Sequence, residues 1–231
     1  MIEVENLCIH QGDFFLRDIS FRIDSGSYGV LMGRSGCGKT TIMEAICGLR
    51  RIKSGTIRLA GVDVSKLRPG ERSIGYVPQD GALFPTKTVR QQIGFSCRIH
   101  GLEQPRIHER VEQLADVLGV SALLDRKPHG LSGGEAQRVA IGRAIAMRPA
   151  ILCLDEPLSS LDEETRSEMV KLLKQLRNEM NVTTLHITHH RSDAAELADV
   201  CFQRDKGALS LESSQDASGR NFEPATKSPR T

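Results

Sequence analysis

A chain of 231 residues with 39% hydrophobic and 26% charged residues has the composition of an ordinary globular protein with one large or two small cores. A net charge of +2 is too small to argue for nucleic acid, and no run approaches the ~18 apolar residues that span a bilayer. The opening Met1-Ile2-Glu3-Val4-Glu5 lacks the basic-then-apolar pattern of a secretory signal, so any membrane role is expected to come through a partner.

Residues 2 to 32 read as β structure. Ile19, Phe21 and Ile23 alternate with polar residues, and Asp24-Ser25-Gly26-Ser27 is a turn. Gly12-Asp13-Phe14-Phe15 reads as an exposed loop, in which Phe14 is a candidate to stack on a base. The competing reading packs both rings under the sheet.

The apolar strand Tyr28-Gly29-Val30-Leu31-Met32 then runs into Gly33-Arg34-Ser35-Gly36-Cys37-Gly38-Lys39-Thr40-Thr41, which fits G-x-x-x-x-G-K-[ST]. Ile42, Ile46 and Leu49 follow at helical spacing. A strand, a glycine loop and a helix N-terminus make an anion site, because unpaired backbone N–H groups and the helix dipole both favour negative charge. Lys39 can place a charge between terminal phosphates, and the Thr40 hydroxyl can hold Mg²⁺. Kinases, GTPases and many ATPases share this motif, so it does not by itself select among them.

Segments 54–61 and 73–78 read as short strands, the second leading to Gln79. Leu83 and Phe84 beside Pro85 are a candidate apolar docking point, or a locally buried loop. From Val89 to Ile99 and Arg106 to Leu118 the pattern is of amphipathic helices separated by Gly101 and Pro105. Together with the helix that follows they form a helical insert over about 87–148. Leu131-Ser132-Gly133-Gly134-Glu135 carries the capping box S-x-x-E, and its two glycines at a helix start make a second possible anion site.

Ala150-Ile151-Leu152-Cys153-Leu154 reads as a buried central strand ending in Asp155-Glu156. Alternation along a strand predicts opposite directions for these two carboxylates, one toward a Thr40-bound metal and the other toward an attacking water. Ser159-Ser160-Leu161-Asp162 leads into a helix over 163–180. A strand over 182–188 ends at His189-His190, followed by a helix over 192–199 and a strand over 200–203. The histidine pair has no Cys or carboxylate partner at ligand spacing, so His189 is read as a polar contact to phosphate or water. Six cysteines without a C-x-x-C pair suit a reducing compartment. Residues 212–231 are polar and read as a disordered tail.

Taken together, Gly33–Thr41, Gln79, Leu131–Arg138, Leu152–Glu156, Ser159–Asp162 and His189 resemble an ATP-binding cassette ATPase over residues 1–211. Within that family the Gln79–Pro85 and Gly12–Phe14 segments are most similar to importer subunits of molybdate, tungstate or sulfate type. The resemblance implies an α/β P-loop NTPase fold. Its core sheet is mixed but largely parallel, with an N-terminal antiparallel β subdomain and the small helical subdomain. It implies ATP and Mg²⁺ as cofactors, bound by Gly33, Arg34, Ser35, Gly36, Cys37, Gly38, Lys39, Thr40 and Thr41. Thr40, Gln79 and Asp155 serve the metal, Glu156 is the general base, Gln79 and His189 act beside it, and Phe14 meets the base. Ser132, Gly133 and Gly134 bind ATP held by an opposite copy, with Asp162 linking the two sites. The implied partners are a second copy across two ATP, integral membrane permease subunits and a solute-binding protein, with no nucleic acid. The implied location is cytoplasmic, peripheral on the inner face of the membrane.

Two departures from the family pattern stand out: His190 replaces a common Asp after the switch histidine, and Gln11 occupies the usual aromatic position. About twenty disordered residues stand where many relatives carry a regulatory domain, so such regulation is expected to be absent. The competing functions are a P-loop small-molecule kinase, which leaves Leu131–Glu135 without a role, and a non-transport relative acting on DNA or in translation.

Overall fold

A computed structural model describes residues 1–12, 14–205 and 208–212. In chain order it forms β1 (Ile2–Gln11), β2 (Phe14–Ile23), β3 (Tyr28–Gly33), α1 (Lys39–Cys47), β4 (Ser54–Leu59), β5 (Val62–Asp63) and β6 (Ile74–Val77). Four helices follow, α2 (Val89–Ile93), α3 (Phe95–Ile99), α4 (Gln104–Val117) and α5 (Gly133–Ile145). The chain closes with β7 (Ile151–Asp155), α6 (Glu163–Met180), β8 (Thr183–Ile187), α7 (Arg191–Leu197), β9 (Val200–Asp205) and β10 (Ala208–Glu212).

Two sheets organise these elements. The first is antiparallel in the order β2-β1-β4-β5; the second has the order β10-β9-β3-β8-β7-β6 and is parallel except for β10. This matches the expected α/β class, a mixed core sheet with an antiparallel sheet beside it. Leu31, Ile151, Cys153, Leu185 and Ile187 pack with α1 and the first sheet, whereas Val30, Leu152 and Leu154 face α5, α6 and α7. Strands β7 and β8 are buried on both faces, which is why β7 reads as a continuous apolar run rather than an alternating one. The carboxyl ends of β3, β6, β7 and β8 lie along one edge, where ligands of open parallel sheets bind.

Several boundaries differ from the sequence reading, each for a local reason. The helix predicted over 89–99 is two helices broken at Gly94. A Cβ there would lie 2.9 Å from Ile107 Cγ2, so the glycine serves the close approach of α4. Pro105 does not separate helices but sits in the first turn of α4, where a missing N–H costs nothing. The strand expected over 54–61 stops at Leu59, and left-handed Ala60 and Gly61 turn the chain into the unpredicted β5. Phe14 and Phe15 begin β2 rather than belonging to a loop, and Asp13 lies outside the described residues. The last strands were under-read: β9 runs to Asp205, and β10 pairs with it through Glu212, a residue expected to open the tail. The rest of that tail, 213–231, lies outside the described residues.

One buried polar pair sits inside the parallel sheet. His186 on β8 is fully buried, its Nδ1 is 3.0 Å from the Tyr28 hydroxyl, and its Nε2 has no hydrogen-bond partner. Burial pushes its pKa down to about 3. A depressed histidine contributes stability that is present above its unfolded value near 6.5 and lost as pH falls toward 3. Thermal melts from pH 7.5 to 4.5 should therefore show a fall in Tm that His186→Gln reduces, since glutamine can still bond Tyr28 but cannot titrate. Equal acid slopes for the two proteins would remove His186 as the cause.

Candidate functional site

The loop between β3 and α1 is held from several directions. Gly33 has φ +148°, and a Cβ there would lie 2.6 Å from the Arg204 carbonyl oxygen and 2.9 Å from Cys37 Sγ. Arg204, on β9, donates through Nε to the Cys37 carbonyl at 2.6 Å. Lys39 is only 5% exposed and its ammonium donates to the carbonyls of Gly33 at 2.9 Å and Arg34 at 3.1 Å. Gly38, at φ +97°, is the N-cap of α1 and supplies no side-chain cap. The first N–H groups of α1 are thus left to an anion, with the helix dipole behind them.

This loop borders a cleft of about 650 Å³, a volume in the range of small-molecule sites. Ser35, Gly36, Gly38, Lys39, Thr40 and Thr41 line it together with Gln11 and Phe14 from the hairpin of β1 and β2. Gln79 and Glu156 complete the lining from beyond the ends of β6 and β7. Phe14 is 36% exposed and its ring tip lies 3.0 Å from where a Gly38 Cβ would stand, so the ring edges the cleft. Phe15 is turned away to stack on His10, with centroids 4.1 Å apart.

The acidic end of β7 divides its two carboxylates differently from strand alternation. Asp155 is the last strand residue, 3% exposed, and accepts from the Thr40 hydroxyl at 3.3 Å. Glu156 has left the strand and is left-handed, φ +47°. Its N–H donates to Ile187 O, and its own carbonyl accepts from the N–H and hydroxyl of Ser159. These bonds hold a conformation that costs a non-glycine residue about 1–2 kcal/mol, the kind of strain kept at functional sites. The turn corrects the alternation reading: Glu156 lines the cleft and Asp155 meets Thr40 beside it. Glu156 Oε2 is 3.2 Å from His189 Nδ1, just past β8.

Asp155 and Thr40 are hard oxygen donors, the set a small divalent cation prefers. Burial raises the Asp155 pKa, opposed by the Thr40 hydroxyl and reinforced by Glu156. A cation would offset that penalty, so the residues fit Mg²⁺. Among the described residues no three His, Cys, Asp or Glu cluster as a metal cage, and further ligands would come from phosphate oxygens and water. A carboxyl with a raised pKa contributes stability below its ordinary range and loses it as pH rises through the shifted value. Asp155→Asn should accordingly raise the Tm of the metal-free protein at pH 7.5, with the gain vanishing in acid. The same change should abolish the additional stabilisation by Mg²⁺ with a non-hydrolysable ATP analogue, read by melts with EDTA or with metal.

A second group of predicted residues sits together but away from that cleft. Ser132 caps α5, accepting from the Glu135 N–H at 3.2 Å while Glu135 accepts from the Ser132 N–H at 2.6 Å. Asp162 caps α6 in the same manner through Thr165, whose bonds hold the Asp162 carboxyl below the usual range. A Cβ on Gly134 would lie 2.5 Å from Thr165 Cγ2, so the two helix starts are packed side by side. Gly133 faces Leu161 across the same seam. None of Ser132, Gly133, Gly134 and Asp162 lines the cleft.

Sequence reasoning did not find Arg204, Arg166 or Asp193, which brace the loop and the histidines from β9, α6 and α7. No local pattern marks them, since Arg204 acts on Cys37, and Arg166 on His190 and Asp193, across long stretches of chain.

A family profile described as ABC transporter matches residues 16–159. The chain is 41% identical over 199 residues to the molybdate/tungstate import ATP-binding protein WtpC of Thermococcus kodakarensis, covering 86% of this chain and 60% of that protein. It is 40% identical over 193 residues to the maltose/maltodextrin import ATP-binding protein MalK of Yersinia pestis, covering 84% and 52%. The chain thus spans a little over half the length of these curated relatives. Among solved structures, cbiO1 from Clostridium perfringens, part of the transporter complex cbiONQ, superposes with a TM-score of 0.83 at 31% identity, over 91% of this chain and 86% of that one. The post-hydrolysis ADP- and Pi-bound dimer of the cassette MJ0796 superposes at 0.81 with 24% identity, over 91% and 98%, a likeness of fold.

Proposed function

Since the chain belongs to the ABC transporter family, we propose that it binds and hydrolyses ATP to energise a membrane importer. The observation that carries this reading is convergence on one cleft. Glycine-loop residues with Lys39, Thr40 and Glu156 line it, Asp155 is bonded to Thr40 at 3.3 Å and His189 lies 3.2 Å from Glu156, brought from three strand ends of one parallel sheet.

In this reading the loop N–H groups and Lys39 bind the β- and γ-phosphates. Thr40, Asp155 and Gln79 hold Mg²⁺, which when bound neutralises charge developing on the phosphate oxygens. Glu156 accepts the proton of the attacking water. His189 orients that carboxylate through Nδ1 and contacts the γ-phosphate. Phe14 meets the adenine face. Ser132, Gly133 and Gly134 bind the triphosphate held by a second copy, with Asp162 joining the two sites, which accounts for their position off the cleft of their own chain. Two nucleotides then hold two copies together, and hydrolysis removes the bridge. ATP biases the open and closed dimers by differential contact, as a switch requires.

The relatives are import ATP-binding proteins, so the partners proposed are permease subunits and a solute-binding protein. No described helix is long and apolar enough to cross a membrane. In the importer reading the chain acts from the cytoplasmic face, coupled through Gln79–Thr86. There Phe84 is 36% exposed, between Phe95 and the Arg143 guanidinium. The cargo is a small solute or oxyanion, the classes named for the maltose and the molybdate/tungstate relatives.

The test is phosphate release from ATP and Mg²⁺ without any added acceptor. Specific activity should rise with protein concentration, because a complete site needs two copies. Turnover only with a small-molecule acceptor would replace this reading with a kinase.

A further inference from the structure

His190, one residue beyond the ring that meets Glu156, is held by more contacts than the site above requires. Nη2 of Arg166 on α6 lies 3.2 Å from His190 Nε2. A guanidinium only donates, so that nitrogen accepts and the uncharged ring carries its hydrogen on Nδ1. The same Arg166 donates to Leu158 O at 3.1 Å, in the loop that follows Glu156, and reaches buried Asp193 on α7 at 3.4 Å. The His190 N–H donates to Thr188 Oγ1 at 3.1 Å, and the Thr188 hydroxyl donates to Asp193 at 3.0 Å. Ring and backbone are thus both anchored, and the ring lies 4.1 Å from that of His189 at 38°.

We propose that His190 is a positioning residue. Pinned by Arg166, its neutral ring buttresses His189 in the orientation that keeps Nδ1 on Glu156. This rests on the ATPase reading for its consequence but not for its geometry. The charged and titratable groups facing His190 are Arg166 from α6, Asp193 from α7, Glu156 from the loop after β7, and His189 beside it. Burial first, then Arg166 and His189, lower its proton affinity against Asp193 and Glu156. Two imidazolium rings at this distance would repel, and a neutral His190 avoids that repulsion. Arg166 ties this buttress to the loop carrying Glu156, so both members of the Glu156–His189 pair share one support.

The experiment has a spectroscopic and a kinetic arm on the full chain. Histidine nitrogen NMR should show His190 as the neutral Nδ1–H tautomer at pH 7.5. Arg166→Met should raise the pKa of His190 toward the ordinary value. In ATP turnover, His190→Ala should lower kcat about tenfold with KM for ATP within about twofold, as expected for lost alignment. His190→Phe, which keeps a flat face, should recover to within about threefold of wild type. An Nε2–H tautomer at His190, or a Phe variant as impaired as the Ala variant, overturns the proposal. If the Ala variant does not fold, the Phe variant and the wild-type spectra decide. If the wild type releases no phosphate at all, the ATPase reading fails while the spectra still judge the buttress.

Discussion

Replacing Glu156 by Gln should lower the rate of ATP hydrolysis by about 10²–10⁴-fold, the span of a positioned general base, while ATP affinity stays near that of the wild type. The amide keeps the shape of the side chain, and its oxygen can still accept from His189 Nδ1 across the 3.2 Å now occupied by the carboxylate. The left-handed turn is fixed by backbone bonds to Ile187 and Ser159, which the substitution does not touch. Only proton acceptance is removed. Because bridging nucleotide is no longer consumed, the variant should elute as a dimer with ATP and Mg²⁺ and as a monomer without them. A variant that binds ATP yet stays monomeric would count against the shared site, and undiminished hydrolysis would move the base elsewhere.

Replacing Lys39 by Ala acts one step earlier, on binding. Its ammonium is buried and braces the loop through the carbonyls of Gly33 and Arg34, so in the proposed reading it is in place before any phosphate arrives. A hydrogen bond to a charged group contributes about 1.5–3 kcal/mol, so losing it should weaken ATP binding by about 10- to 150-fold. Titration calorimetry with a non-hydrolysable analogue reads this directly. Unchanged affinity would falsify the cradle assignment. The loop should survive the change, since Arg204 still holds the Cys37 carbonyl and α1 keeps its packing under the sheet. The two substitutions therefore separate cleanly: one weakens binding and with it dimerisation, the other preserves binding and makes the dimer persist.

Much of this site was legible because its parts are contiguous in the chain. A glycine loop between a strand and a helix has few physical uses other than holding an anion, and an acidic pair after a fully apolar strand stands at the end of a buried parallel strand. The capping box at Ser132 was equally local, and α6 was read at its observed bounds, Glu163–Met180. Where the reading failed, the deciding contact came from elsewhere. Helix 89–99 broke at Gly94 because α4 crosses there. β10 was missed because a short edge strand exists only through pairing with β9.

The sequence by itself determined the fold class, the family resemblance and the glycine loop between β3 and α1, since these rest on spacing within single elements. Tertiary structure decided which residues share a cleft. It turned Glu156 into the cleft and held Asp155 on the Thr40 hydroxyl, and it left Ser132 and Asp162 off the cleft that Lys39 lines. It also placed Arg166 and Arg204 behind the site, each with a backbone carbonyl to hold. The physical reason is that backbone propensity and hydrophobic period act over a few residues. A left-handed turn at Glu156, or a guanidinium reaching a carbonyl 167 positions away, is stable only through bonds the assembled sheet supplies.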